Sequence, residues 1–402
     1  MDLTKNAEME LAGKSESKLT GKLAEKYEED AVSSAYNIYI GKKYNFLGIS
    51  IIILIFLFLY SIAVGFADVS TIDVVRVLLY GIVARLVNFA DVSTIDVSRL
   101  FLEANLESAY TIIWHIRLPR ALAAIASGVG LSVAGVALQS ILRNPLGSPY
   151  TLGISHAAAF GAAFSVIVLG TGTMRSTGAD AIMINNPYVT TTVAFAFSML
   201  ATFILLAIAK YKGSSPEVMI LSGVALSSLF TAGTMFLQYF ADDTQLAAVV
   251  FWTFGDVGRA HWGDFFIILA VTVFATGYFY LNRWNYNAID AGDETAKGLG
   301  VEVEKIRLYG MLIASLVTAF IVSFLGVIGF VGLVCPHISR RFVGDDQRFL
   351  LPASCLVGGM LLLGSDTAAR MIMAPHELPV AILTAFMGAP VFLYLLVRGY
   401  KH

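Results

Sequence analysis

Apolar stretches of about 20 residues recur along this chain, separated by short polar or basic segments, and that length suits a helix crossing the hydrocarbon core of a bilayer. Clear runs lie near 46–66, 118–142, 151–170, 189–209, 217–240, 263–282, 349–369 and 379–397. The stretch 308–339 is too long for one crossing and short for two. Lys305 and Arg307 precede it and Arg340 and Arg341 follow it, so a chain that keeps both clusters on one side must go out and return. Gly326, Gly329 and Gly332 supply the place to turn or break a helix. The pattern predicts an all-α, polytopic membrane protein of about ten transmembrane helices with both termini cytoplasmic.

Charge tests that topology. It places nineteen of the 27 lysines and arginines on the cytoplasmic side of the cell membrane, as the positive-inside rule requires. Of the eight outside, Arg76, Arg85 and Arg99 share one long loop, where the rule is weak, and Arg117, Arg120 and Arg370 sit at span ends. Composition agrees: 57% hydrophobic and 14% charged residues exclude a soluble domain of 402 residues. The net charge of -2 says nothing about partners.

Residues 1–44 differ from the rest, being rich in Lys, Glu, Ser and Ala. They read as a charged cytoplasmic tail, disordered or weakly helical, ahead of a transmembrane domain over 45–402. No signal peptide is expected, because the first hydrophobic run starts near Phe46 without a cleavage pattern behind it. Gly13-Lys14-Ser15 is a fragment of a phosphate-binding loop, but Glu8 stands where that motif needs glycine. Cys335 and Cys355 have no disulfide or metal spacing and read as small buried hydrophobes.

An internal repeat lies in the external loop 67–116. FADVSTIDV occurs at 66–74 and again at 89–97. Two copies make no solenoid, and a local duplication tolerated in a loop explains them. Within the spans, small residues crowd SGVGLSVAGVALQS at 127–140, SHAAAFGAAFS at 155–165 and SGVALSS at 222–228. Such faces let helices approach closely in lipid, so a tight bundle is expected.

Charges inside the spans are sparse. An ion-driven carrier places acids or histidines at mid-depth, but Asp366 lies near the end of its span, four residues before Arg370, at ion-pair spacing. His156 reads as a hydrogen-bonded packing residue. The chain carries no site for ATP and no metal site, so the driving force is expected from another subunit.

Several motifs now occur in order: IRLPR at 116–120, LQSILRNPLGSPYTLGIS at 138–155, LSGVAL at 221–226, AKGLGVEVEKIR before the seventh span, GFVGLVCPHISR at 329–340 and ELPVAILTAFMGAPVF at 377–392. Together they resemble the permease subunits of importers for iron–siderophore, haem and cobalamin, over about 46–400. The tail and the second repeat copy fall outside that pattern. The resemblance implies a homodimer with one pore, an ATPase subunit on each copy that binds ATP and Mg, and an extracytoplasmic binding protein that delivers the load. It implies that Ala291, Gly292, Asp293, Glu294, Gly298, Leu299 and Gly300, within the cytoplasmic loop 283–307, couple the pore to the ATPase. It implies that Arg117, Arg120 and Arg370 dock carboxylates of the binding protein, a task suited to the guanidinium fork. It implies that Asn144, Pro145 and Leu146 gate the cytoplasmic mouth. Ser215-Pro216-Glu217 is less familiar there, and its acid leaves the chemistry of that gate open.

The reading is an importer permease that catalyses no covalent chemistry and has no cofactor of its own. An ion-gradient carrier is the rival of another class, and a scaffold or receptor without transport is the third. Iron chelate is the first choice of substrate, with cobalamin, haem and molybdate-type oxyanions as alternatives.

Overall fold

The computed structural model describes residues 36–65, 74–77, 104–174, 182–184, 187–373 and 376–399. Contacts divide the chain into Met1–Ile49 and Ser50–His402, and nearly everything below concerns the second unit. Helix α1 covers Tyr36–Ala63, so helix already occupies 36–44, which composition assigned to the tail. A helix can run past the apolar segment that anchors it, because its backbone bonds close within the segment. The remainder of the tail and nearly all of the duplicated segment lie outside the described residues.

Beyond α1, α2 (Ala104–Thr111) passes through a π-helical turn, Ile112–Arg117, into α3 (Leu118–Ile141). The loop drawn over 67–116 is therefore shorter, since 104–116 is helical. There follow α4 (Ile154–Ile167), strands β1 (Gly172–Met174) and β2 (Ile182–Ile184), α5 (Pro187–Lys212), α6 (Pro216–Tyr239), α7 (Asp243–Thr253) and α8 (Trp262–Leu281). Then come α9 (Arg283–Asp290), α10 (Asp293–Gly298), α11 (Val303–Leu325), α12 (Val331–Val343), α13 (Gln347–Ile372) and α14 (Val380–Gly399). The two strands pair antiparallel, Gly172 opposite Ile184, a small hairpin that hydropathy did not predict.

Seven described helices are long and apolar enough to cross a membrane, and α4 and the apolar part of α14 are shorter ones. With α12 they account for the ten expected segments, but the return after α11 is not a second full helix. The chain leaves α11 at Gly326 (φ 80°), runs extended to Phe330 (φ 66°), and only then forms α12 of 13 residues, about 20 Å long. Extended backbone at this depth must be buried in protein. Here it lies against the 252–256 segment: Asp256 donates its N–H to Leu325 O at 2.7 Å, and a Cβ on Gly326 would run into Trp252 O.

Helix α3 is the hub, packed against α13, α8, α11 and α12 and buried over most of its length. Its small residues permit this. A Cβ on Gly128 would strike the backbone of Gly358 on α13, and one on Gly135 would strike Gly332 on α12. The alanines of α4 are equally enclosed, Ala157, Ala158, Ala162 and Ala163 all at 0% exposure. The third small-residue run, on α6, packs on one face only: a Cβ on Gly223 would strike Leu152, while Val224 and the flanking Leu221 and Leu229 are exposed.

Candidate functional site at the end of the bundle

The polar segment after α8 folds into two short helices. Gly292 joins them with φ 122°, a conformation L side chains rarely adopt, and Gly300 closes the segment at φ 83°. Asp293 and Glu294 fill the first turn of α10 and Lys297 its last, matching the helix dipole. Ala288, Ile289, Ala296 and Val303 form a small core beneath, while Leu299 projects outward at 72% exposure.

This segment is fastened to three helices. Arg307 of α11 donates from Nη1 and Nη2 to the two carboxylate oxygens of Asp293 at 2.8 and 2.7 Å, and from Nε to Ile141 O at the end of α3 at 3.2 Å. Arg143 lies 3.7 Å from the same carboxylate. Asp290 Oδ2 accepts from Ser140 Oγ of α3 at 3.2 Å and from Gln347 Nε2 of α13 at 3.0 Å. Asn287 donates to Asp346 and accepts the Gln347 N–H. Tyr286 is buried against Gly310 of α11, and burial holds its hydroxyl well above the usual phenol pKa. Of these groups, sequence reasoning picked out only Asp293; Arg307 figured solely as a topological marker. The signal for the others was polar residues at the ends of apolar spans, as in Gln139-Ser140 and Gln347.

The loop Asn144-Pro145-Leu146 sits at the same end. Asn144 Oδ1 accepts the Leu146 N–H at 2.8 Å, a side-chain-stabilised turn. Pro145 O is bonded by His337 Nε2 of α12 at 2.9 Å. Arg143, in a left-handed conformation, links this loop to Asp293. The structure thus brings the two predicted groups together. Two clefts flank them, one of about 480 Å³ that includes Arg143, Glu217, Asp293, Lys297 and Arg307, and one of about 630 Å³ that includes Gln139, Asn144, Asp290, His337 and Arg340. Glu217 therefore faces cations, and Ser215 caps α6 by accepting the Val218 N–H.

Arg117, Arg120 and Arg370 lie at the opposite end of α3, separated by a helix about 36 Å long. The expectation of outward-facing cations is corrected here: their exposures are 5%, 7% and 6%. Arg117 Nη1 donates to Ile62 O and Ala63 O, and Arg370 donates to Ser61 O, Ser61 Oγ and Val64 O. Both therefore satisfy carbonyls at the C-terminal end of α1, where positive charge is favoured. Arg120 donates from Nε to Asp366 at 2.9 Å and from Nη1 to Glu377 at 2.8 Å. Asp366 pairs with Arg370 at 3.3 Å, as the four-residue spacing predicted. A partner arriving at this end meets Glu377, whose side chain is 43% exposed, before it meets Arg120.

Elsewhere, His156 packs on the Tyr150 ring at 4.6 Å, and Cys335 is fully buried. Among the described residues no cluster of three or more His, Cys, Asp or Glu side chains could hold a metal ion.

A bundle of apolar helices carrying a braced pair of short helices at one end defines a membrane permease. Residues 51–398 match the FecCD transport family, and the chain belongs to it. It is 51% identical to the ABC transporter permease protein MJ0087 of Methanocaldococcus jannaschii over 92% of this chain and 99% of that one. It is 38% identical to the cobalamin import system permease BtuC of Halobacterium salinarum over 72% and 74% of the two chains. Other relatives are named as permeases for haemin, Fe(3+)-citrate and molybdate. Among solved structures, an inward-facing metal-chelate type ABC transporter aligns with a TM-score of 0.71 at 27% identity, covering 88% of this chain and 98% of that one. The chain is thus the non-catalytic permease subunit of an ABC importer, a role that implies a separate ATPase and a binding protein.

Proposed function

We propose that this permease imports a metal chelate, ferric siderophore in the first place, across the cell membrane with both termini cytoplasmic. The observation that carries its mechanism is the Arg307–Asp293 brace, which ties the 291–300 segment to α11 and α3. An ATPase pressing on Leu299 and the glycines around it moves α10, and α10 cannot move without pulling on the ends of those helices. The loop 144–146 shares that end, so the same displacement reaches the mouth of the pore. ATP and Mg reside on the ATPase. The chain itself has no cofactor in this reading.

The working unit in this reading is a homodimer. Leu221, Val224 and Leu229 leave an apolar face of α6 uncovered, which suits a second copy. The binding protein docks over the Glu377 end, with Arg120 behind that carboxylate. Cobalamin, haem and molybdate-type oxyanions remain the competing cargoes.

Reconstitution with the cognate ATPase and binding protein tests this reading. Proteoliposomes are offered ferric siderophore, haemin, cobalamin and molybdate in turn. ATP-dependent accumulation of the siderophore is expected; preference for another cargo overturns the substrate, and uptake driven by an ion gradient without ATP overturns the mechanism.

A further inference from the structure

A cavity of about 380 Å³ lies at the end of the bundle opposite the coupling segment, where α5, α7, α8 and α11 meet, and neither the coupling nor the docking reading uses it. One wall is apolar, built by Tyr188, Phe251 and Phe324; the other carries Arg259, His261 and Asp264. Arg259 ends the short 3-10 turn Val257–Arg259. Its Nη2 donates to Phe251 O at 2.8 Å and its Nη1 to Trp252 O at 3.5 Å, so the last turn of α7 aims the guanidinium into the cavity. Among the described residues no carboxylate lies within ion-pairing distance of it. Burial depresses its pKa, and the field of Asp256 offsets that only in part. A guanidinium keeps its charge under such conditions. It has five N–H donors, and the two carbonyls leave most of them for another acceptor.

The rim identifies the source of that acceptor. Tyr188 and Phe251 are 68% and 56% exposed, and the next turn of α8 continues the surface with Phe266, also 56% exposed. Phe266 stacks on Trp262, which rests on the buried Trp114, so the exposed aromatic edge of α8 is anchored where aromatic side chains meet lipid headgroups. Farther along, α5 and α8 present exposed Phe203, Val273 and Phe274, so an apolar path for acyl chains leads away from the cavity.

We propose that this cavity binds the phosphodiester headgroup of a membrane lipid. Arg259 pairs with the phosphate, the aromatic wall covers the first acyl carbons, and Asp264, which accepts the His261 N–H at 3.0 Å, receives a hydroxyl or ammonium of the head. A lipid seated there bridges α7 and the ends of α5 and α8. Charge-assisted bonds to the phosphate supply the specificity.

The test uses the full chain, purified in detergent, stripped of lipid, and examined by native mass spectrometry with added phosphatidylglycerol. Wild-type chain is expected to retain one lipid. Arg259→Gln lowers the retained fraction about tenfold and Arg259→Lys recovers part of it, as loss of one charge-assisted contact requires. Because Arg259 also bonds α7, Thr191→Trp serves as a second variant: it fills the cavity, leaves the arginine in place and also abolishes retention. Neutral diacylglycerol is not retained, and free glycerol phosphate does not compete. Equal retention by wild type, Arg259→Gln and Thr191→Trp, or no retention by wild type, overturns the site. Displacement by glycerol phosphate at equal concentration overturns the lipid and leaves a site for small phosphates.

Discussion

Arg307 and Asp293 are joined by two parallel N–H···O bonds of 2.8 and 2.7 Å, and the guanidinium has its third contact on the last carbonyl of α3. One side chain thus connects a surface helix of six residues to two membrane helices. The bidentate geometry fixes orientation as well as distance. With an exposure of 3%, Arg307 is held by packing, so the connection is stiff.

At the opposite end, the Arg120–Asp366 pair is buried, with side-chain exposures of 8% and 0%. Removing one partner leaves the other with its second pair only, Arg120 with Glu377 or Asp366 with Arg370, at a cost of up to about 3–5 kcal/mol. Asp366→Asn and Arg120→Gln should each lower the melting temperature and the amount of folded chain in the membrane. The double variant should lose less than the sum of the two single losses, because each single change already removes the shared Arg120–Asp366 pair. Strictly additive losses in a double-mutant cycle would show that the two residues act independently.

Gly128→Ala places a methyl group against the Gly358 backbone, where no side chain can yield. Helices α3 and α13 must move apart, at a cost of about 1–3 kcal/mol. Thermal unfolding in detergent should show the loss. Gly263→Ala, which meets nothing within 4 Å, serves as the neutral control.

Tyr286→Phe should not destabilise the chain. The Tyr286 hydroxyl is buried without a hydrogen-bond partner among the described residues, and it presses on Gly310. Deleting it removes a desolvated polar group, so stability should rise by about 1 kcal/mol. A lower melting temperature would mean that this hydroxyl has a partner that matters.

Much of this architecture was legible in the sequence because span length and the polarity of the 291–300 segment are local signals. The Asp366–Arg370 pair was legible for the same reason, through its helical spacing. The rest depends on contacts between distant parts of the chain. Arg120 finds Asp366 and Glu377 at separations of 246 and 257 residues, which no spacing rule connects. Arg117 and Arg370 read as outward cations because the C-terminal carbonyls of α1, which they bond, leave no mark in the sequence. The glycines from Gly326 onward marked the break after α11, but the half-length of α12 also depends on the Trp252 carbonyl, which meets Gly326 from a distant part of the chain.

Substrate transported per ATP hydrolysed, measured in proteoliposomes holding the permease, its ATPase and its binding protein, tests the coupling role of the Arg307–Asp293 brace most directly. Arg307→Ala is compared with wild type, and copurification of the ATPase is scored in parallel. The brace predicts retained assembly and retained ATP hydrolysis, with a transport-to-hydrolysis ratio lowered by about tenfold or more. An unchanged ratio in an assembled complex would contradict it.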